Sequence, residues 1–414
     1  MNIKNILKTI GPGILFAGAA IGGSHLIQST RAGANFGMEL LWVIILINIL
    51  KYPFFEYGHR FTAATGLSLI DGYMKLGKTA VWMFLILNVF TSIINGAAVS
   101  LVTASLMANL FGLEYSISAL TGIVLFVTLI LLIIGRYSAL DTLMKVMVSI
   151  LAITTIISVF VALSSTVTLG TVDGPKPELW DAAGIAFLLA LMGWMPAPIE
   201  ISVWPSLWAL EREKQTKYKP KFKEAMFDFH LGYFTTTIMA LFFLSLGAFV
   251  MFGSGEEFSN SGIVFSSQIV SLYTKTIGEW SKIIIASIVF ITMFSTTLTV
   301  FDAYPRALTG SLKKLFVNLK VKSQILNISI GIGMAIVGIL IVVFYTSGLK
   351  TLLDFATIVA FLAAPVFAII NYRVVTASFM PEEYRPKLWL RILSWCGITF
   401  LILFSLLFIF TKIF

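Results

Sequence analysis

The sequence predicts an all-α integral membrane protein of eleven transmembrane helices, built as two five-helix halves in opposite orientation plus one extra helix. Three observations carry this. Of the 414 residues, 58% are hydrophobic and only 12% are charged, whereas a soluble chain carries about 25% charged residues. Apolar stretches of roughly 20 residues, the length of a membrane-spanning helix, recur from end to end. Two of them, five spans apart, have interiors that resist being helical, as in transporters built from inverted repeats.

The spans follow in order. The first covers about 12–31, the second about 39–57, the third about 79–111, the fourth about 115–135 and the fifth about 139–164. The sixth covers about 180–209, the seventh about 228–252, the eighth about 281–304, the ninth about 325–346, the tenth about 350–372 and the eleventh about 388–413. One domain over 1–414 therefore divides into a first repeat at about 12–164, a second at about 180–372 and an extra helix at about 388–413. No A-x-A-like site ends the first apolar run, so no cleaved signal peptide is expected. Between the seventh and eighth spans, 263–273 is expected to form an amphipathic helix on the outer surface, as a lid or a plain surface helix.

The net charge of +9 would suggest nucleic acid on a soluble protein. Here the basic residues sit in loops. His59, Arg60, Lys75 and Lys78 follow the second span, and Arg136 follows the fourth. Arg212 to Lys223 follow the sixth, Arg306 to Lys322 the eighth, and Arg373 to Lys387 the tenth. The alternate loops carry Glu114, Asp173 to Glu178, Glu256 and Glu257. The positive-inside rule then puts the N-terminus in the cytoplasm and the C-terminus outside. In a bacterium this means the inner membrane. The lipid bilayer is the expected partner, with a small ion or solute as substrate, no nucleic acid and no cofactor. Cys396, the single cysteine, lies in the last span and is expected as a small buried hydrophobe.

In the first span, Gly22-Gly23-Ser24-His25 sits mid-membrane. Each glycine weakens a helix by about 1 kcal/mol, and freed backbone at that depth is tolerated where it lines a cavity. In the sixth span, Pro196 and Pro198 each remove a donor and clash with the preceding turn. A lone proline gives a kink; the pair, opposite the first break, points to a substrate site between the two.

Gly11-Pro-Gly13, Arg31-Ala-Gly-Ala-Asn-Phe-Gly37 and Leu40-Leu-Trp-Val-Ile-Ile-Leu-Ile-Asn48 closely resemble the start of the Nramp family. That resemblance implies a divalent metal transporter, usually proton-coupled, with a LeuT-like fold. The family's Asp-Pro-Gly-Asn, whose Asp and Asn ligate the metal, falls here on Gly22, Gly23, Ser24 and His25. Its Met-Pro-His falls on Met195, Pro196 and Ala197. Its proton route uses an acid on the third span and an arginine on the ninth. Here no charged residue lies between Thr79 and Gly112, or between Ile325 and Tyr345.

The expected substrate site is therefore Gly22, Gly23, Ser24, His25, Met195, Ala197 and Glu200. By the resemblance the cargo is a metal cation, held by a non-standard set. Met195 offers a thioether and His25 an imidazole. Glu200, one turn past the break, either replaces the missing acid or pairs structurally. An anionic or small organic solute is the alternative, since the loss of the acid and the helix N-termini at the breaks favour an anion. Trp194 and Trp204 would then wall the site or simply pack. His25 is also a candidate proton carrier. Ser295, Thr296 and Thr297 on the eighth span match the hydroxyls that bind sodium in sodium-coupled LeuT-like proteins; equally, such hydroxyls join membrane helices. Asp302 and Arg306 are expected to pair, Asp354 is a weaker site candidate, and Asp228 and His230 are expected near water. No H-E-x-x-H, C-x-x-C, Walker A or G-x-S-x-G motif occurs, so an enzyme is not expected. A channel or receptor is the alternative from another class.

Overall fold

The computed structural model describes residues 9–134, 137–164, 177–345 and 348–413. Arg136 and Asp173 lie outside them. Ten helices among the described residues are long and apolar enough to cross a membrane. They match the second to eleventh predicted spans. The first predicted span is also helical but divides into three shorter pieces, Pro12–Ala20, Ile21–Ser29 and Thr30–Phe36.

The third and eighth spans, Lys78–Phe111 and Lys282–Leu315, pack along each other at the centre. The first span lies along the seventh, Phe222–Val250, closely enough for backbones to touch. A methyl group on Gly13 would stand 2.1 Å from the Asp228 carbonyl oxygen, and one on Gly247 would stand 2.1 Å from that of Thr30. Small residues at such crossings are the usual device for membrane helices. The first half of the first span contacts the second half of the sixth, while its middle contacts the first half of the sixth. The two therefore run antiparallel, as inverted halves require. The eleventh span, Leu388–Ile413, packs outside on the second, sixth and tenth.

Several boundaries differ from expectation for identifiable reasons. The second span runs Leu41–Thr65, so His59 and Arg60 lie within a helix and not in a loop. Arg60 Nε donates to the buried Glu56 carboxylate at 2.8 Å, and this i,i+4 pair lets both charges stay in the helix. The seventh span starts at Phe222, which buries Asp228 where water was expected. Its carboxylate accepts from Gly11 N at 3.1 Å and Gly13 N at 2.7 Å, capping the start of the first span. His230 stacks on Tyr52. Cys396 is exposed on the outer face of the eleventh span, not buried, because that helix turns only one side to the protein. The surface segment forms a helix over Gly262–Ile277, and Phe265, Ile269 and Tyr273 are buried on one face. Asp302 and Arg306 pair as expected.

Candidate functional site

The two irregular stretches take different forms. In the first span the chain stays helical: Ile21–Ser29 is a π-helix between two α-helical pieces. Gly22 and Gly23 loosen the helix but keep their N–H groups. The backbone therefore re-bonds at the wider i to i+5 spacing and does not unwind. The sixth span does break. Its first half, Ala182–Trp194, stops before Met195-Pro196-Ala197-Pro198, with a cis Met195–Pro196 bond. A 3₁₀ turn, Ile199–Ser202, leads into the second half, Val203–Thr216. Neither proline can donate to the turn before it, so carbonyls at the end of the first half lose their helical partners.

Lys51 supplies the replacement. It is fully buried in the middle of the second span. Its Nζ donates to Met192 O at 2.6 Å, Gly193 O at 2.9 Å and Ala197 O at 3.3 Å. All three ammonium hydrogens are thereby used. A cation at the C-terminal end of a half-helix also meets the negative end of its dipole. Sequence reasoning did not single this residue out. The signal was present, because a lone lysine eleven positions into an apolar span is costly unless it has a specific partner.

Between the two irregular stretches lies a small cavity of about 40 Å³. The first span contributes Gly23 and Ser24, and the sixth contributes Pro196, Ala197 and Pro198. Trp194 and Trp204 wall it from either side of the break. Asn95 of the third span and Thr296 and Tyr304 of the eighth complete it. Ser24 Oγ lies 2.9 Å from Pro196 O, which links the two irregular stretches directly.

Of the expected site residues, Gly23, Ser24 and Ala197 thus line the cavity. Gly22, His25, Met195 and Glu200 do not. Gly22 faces the eighth span, where a methyl group would meet Thr296 Oγ1 at 2.0 Å. An acid at this position would have no room beside Thr296. His25 turns to the seventh span: Nε2 lies 2.7 Å from Thr236 O, and Nδ1 lies beside Ser24 Oγ and 3.0 Å from Ala20 O. Both ring nitrogens are engaged by these partners, so neither is free to face the cavity. Met195 is buried in the apolar core. Glu200 is buried just behind the wall. Its Oε1 accepts from Asn95 Nδ2 at 3.4 Å and Tyr304 OH at 3.3 Å, while Oε2 has no partner among the described residues. His25, Met195 and Glu200 therefore do not converge as a metal set, and no group of three or more His, Cys, Asp or Glu among the described residues could hold a metal.

The three hydroxyls of the eighth span also separate. Successive residues of an α-helix point about 100° apart. Ser295 lines a second cavity between the first, fifth, seventh and eighth spans. Thr296 lines the central one, and Thr297 bonds Thr103 Oγ1 at 2.8 Å. Two residues past the π-helix, Arg31 forms a two-pronged pair with Asp354 of the tenth span, at 2.6 and 3.0 Å, with Gln28 bonded to both. Asp354 is thus the anchor of an ion pair above the cavity.

Residues 13–411 match the Nramp family, described as natural resistance-associated macrophage protein-like. An uncharacterised protein of Pasteurella multocida is 39% identical over 402 residues, covering 97% of this chain and 91% of its own. The divalent metal cation transporter MntH of Staphylococcus saprophyticus is 24% identical, covering 96% of this chain and 90% of its own. The crystal structure of the Eremococcus coleocola manganese transporter superposes with a TM-score of 0.69 at 16% identity, covering 99% of this chain and 86% of that one. Transporters outside the family share the fold too, which is the expected LeuT-like architecture. Matched over nearly its full length, this membrane protein belongs to the Nramp family.

Proposed function

We propose that the chain is a secondary active transporter that works by alternating access, with its substrate site in the cavity between the first and sixth spans. The observation that carries this is the pairing of a π-helical first span with a proline-broken sixth span around one cavity. Loosened backbone at membrane depth is costly unless it serves a site. The Arg31–Asp354 pair would close the outer side and the Asp228 cap on the first span the inner side. In this reading the N-terminus is cytoplasmic and the C-terminus outside, as the basic loops expect.

Family membership makes a metal cation the first reading of the cargo. His25, Met195 and Glu200 would have to rotate toward the cavity to hold it, and the coupling ion would be a proton at His25 or sodium at Ser295 or Thr296. A second reading, a small organic or anionic solute, is favoured by Lys51. Its ammonium already occupies the carbonyls that a cation at the break would use.

Uptake into proteoliposomes tests the proposal. Manganese, magnesium and small anions are offered under imposed proton and sodium gradients. Saturable, gradient-driven uptake that is lost in Gly23→Leu, which fills the cavity, is the expected result. Uptake that survives Gly23→Leu, or turnover at channel rates, would contradict it.

A further inference from the structure

We infer that Lys51 is the group through which a proton governs the sixth-span break: its ammonium staples the two half-helices together, and loss of one proton releases them. The inference rests on the reading of that break as a moving part of a transporter, and it holds for either cargo.

The first support is where the ammonium is bonded. Met192 and Gly193 belong to the first half of the sixth span, Ala182–Trp194, whereas Ala197 lies beyond it, between the two prolines. One Nζ therefore reaches across the break, with bonds of 2.6 and 2.9 Å on the near side and 3.3 Å on the far side. The backbone bond from Met195 N to Met192 O, at 3.4 Å, stays on the near side. Parting the half-helices must break the Ala197 bond, the longest of the three, and Ala197 lines the cavity. Opening of the site and release of Lys51 are thus one movement.

The second support is valence. An ammonium has three N–H groups and no lone pair, and the nest offers it three carbonyls. The neutral amine has two N–H groups and a lone pair. One carbonyl then loses its donor and faces that lone pair, and neither proline nitrogen can replace the donor. The step is a plain proton transfer. One Nζ–H bond breaks, its electrons stay on nitrogen, and the proton passes to water in the opened cavity.

The third support is how the charge is held. Arg31 and Arg60 are each paired directly with a carboxylate. Lys51 has no such pair among the described residues and is held by neutral carbonyls. Burial works against its charge and the carbonyls work for it. Glu200 of the sixth span acts on it by charge, while the Glu200 Oε1 accepts from Asn95 of the third span and Tyr304 of the eighth. The seventh span brings Tyr233 to the Asn48 carbonyl, the tenth brings Asn371, which does not titrate, to the Phe54 carbonyl, and the eleventh brings Ser394 to Tyr57. On the same helix stand Tyr52 and Glu56, the latter paired with Arg60.

The test is the reactivity of a cysteine placed on the cavity wall at Val99, in the full-length Cys396→Ser protein purified in detergent. Its rate with a thiol reagent is followed from about pH 6 to about pH 9. Each rate is divided by that of the same protein carrying Lys51→Arg, which keeps its charge throughout. The ionisation of the cysteine is common to both and cancels. The ratio is expected to rise about tenfold or more with pH. Lys51→Gln, never charged, is expected to give a high ratio at every pH. Should Lys51→Arg fail to fold, Lys51→Gln becomes the reference, and the ratio is expected to climb from about a tenth to about one. His25→Gln, which removes the other candidate proton carrier, is expected to leave the rise in place. A ratio flat with pH, an equal rise in Lys51→Gln, or loss of the rise in His25→Gln would each overturn the inference. Uptake in Gly23→Leu separates the two failures. Proton-driven uptake abolished by Gly23→Leu, together with a flat ratio, sinks Lys51 as the proton carrier and keeps the cavity; uptake that survives Gly23→Leu sinks the cavity.

Discussion

The first and sixth spans meet the same requirement, an irregular backbone at membrane depth, by opposite means. Glycine relaxes the first span, and its backbone amides re-bond to one another in a π-helix. Proline interrupts the sixth, and its orphaned carbonyls need a donor from elsewhere, which Lys51 of the second span provides. The self-satisfied stretch needs no backbone donor from outside. The externally satisfied stretch brings a buried lysine up to the carbonyl of Ala197, which lines the cavity.

The largest predicted effect breaks the sixth-span side of the comparison. Lys51→Met takes the ammonium donor from the Met192, Gly193 and Ala197 carbonyls and the neighbouring positive charge from the buried Glu200. It should cost about 3–5 kcal/mol of stability, read as a strongly lowered thermal midpoint in detergent; a loss of a few tenths would contradict the role assigned to Lys51. Next comes the first span. Gly22→Val drives a side chain into Thr296 Oγ1 and should cost about 1–3 kcal/mol. Thr296→Ala in the same chain should recover part of that cost, and simple additivity of the two changes would show that they do not meet. A smaller loss of about 1 kcal/mol is expected for His25→Leu, which gives up the bond to the Thr236 carbonyl. The smallest effect on stability concerns the Arg31–Asp354 ion pair. Asp354 is partly exposed, so Asp354→Asn should cost under about 1 kcal/mol. It should nonetheless raise the reactivity of a cysteine placed at Ser24 toward an outside thiol reagent, in a Cys396→Ser background. Unchanged reactivity would remove the pair as a closing contact.

Much of the fold was legible in the sequence, because length and hydropathy alone fix where spans fall. The errors arose where charge entered a helix with a partner. His59 and Arg60 were placed in a loop because their basic character looked like a boundary, yet Glu56 four residues earlier neutralises Arg60. Asp228 looked like a wet helix end and is instead the cap of the first span. The site was less legible. Prolines announced the sixth-span break, since a missing N–H has one structural consequence. Glycines announced only weakness, which a π-helix resolves as well as an unwound loop does. His25 drew attention as a polar residue at membrane depth, but depth does not say which side of a helix faces the cavity. Lys51 was overlooked because its partners are backbone carbonyls 141 to 146 positions away.

The most direct test of the central claim is manganese binding by electron paramagnetic resonance on the purified wild-type protein. A cavity whose cation position is already filled by Lys51 predicts the spectrum of free hydrated manganese at equimolar ion and protein. A bound-ion spectrum that disappears in Met195→Ala or Glu200→Gln would contradict it and return the site to metal transport.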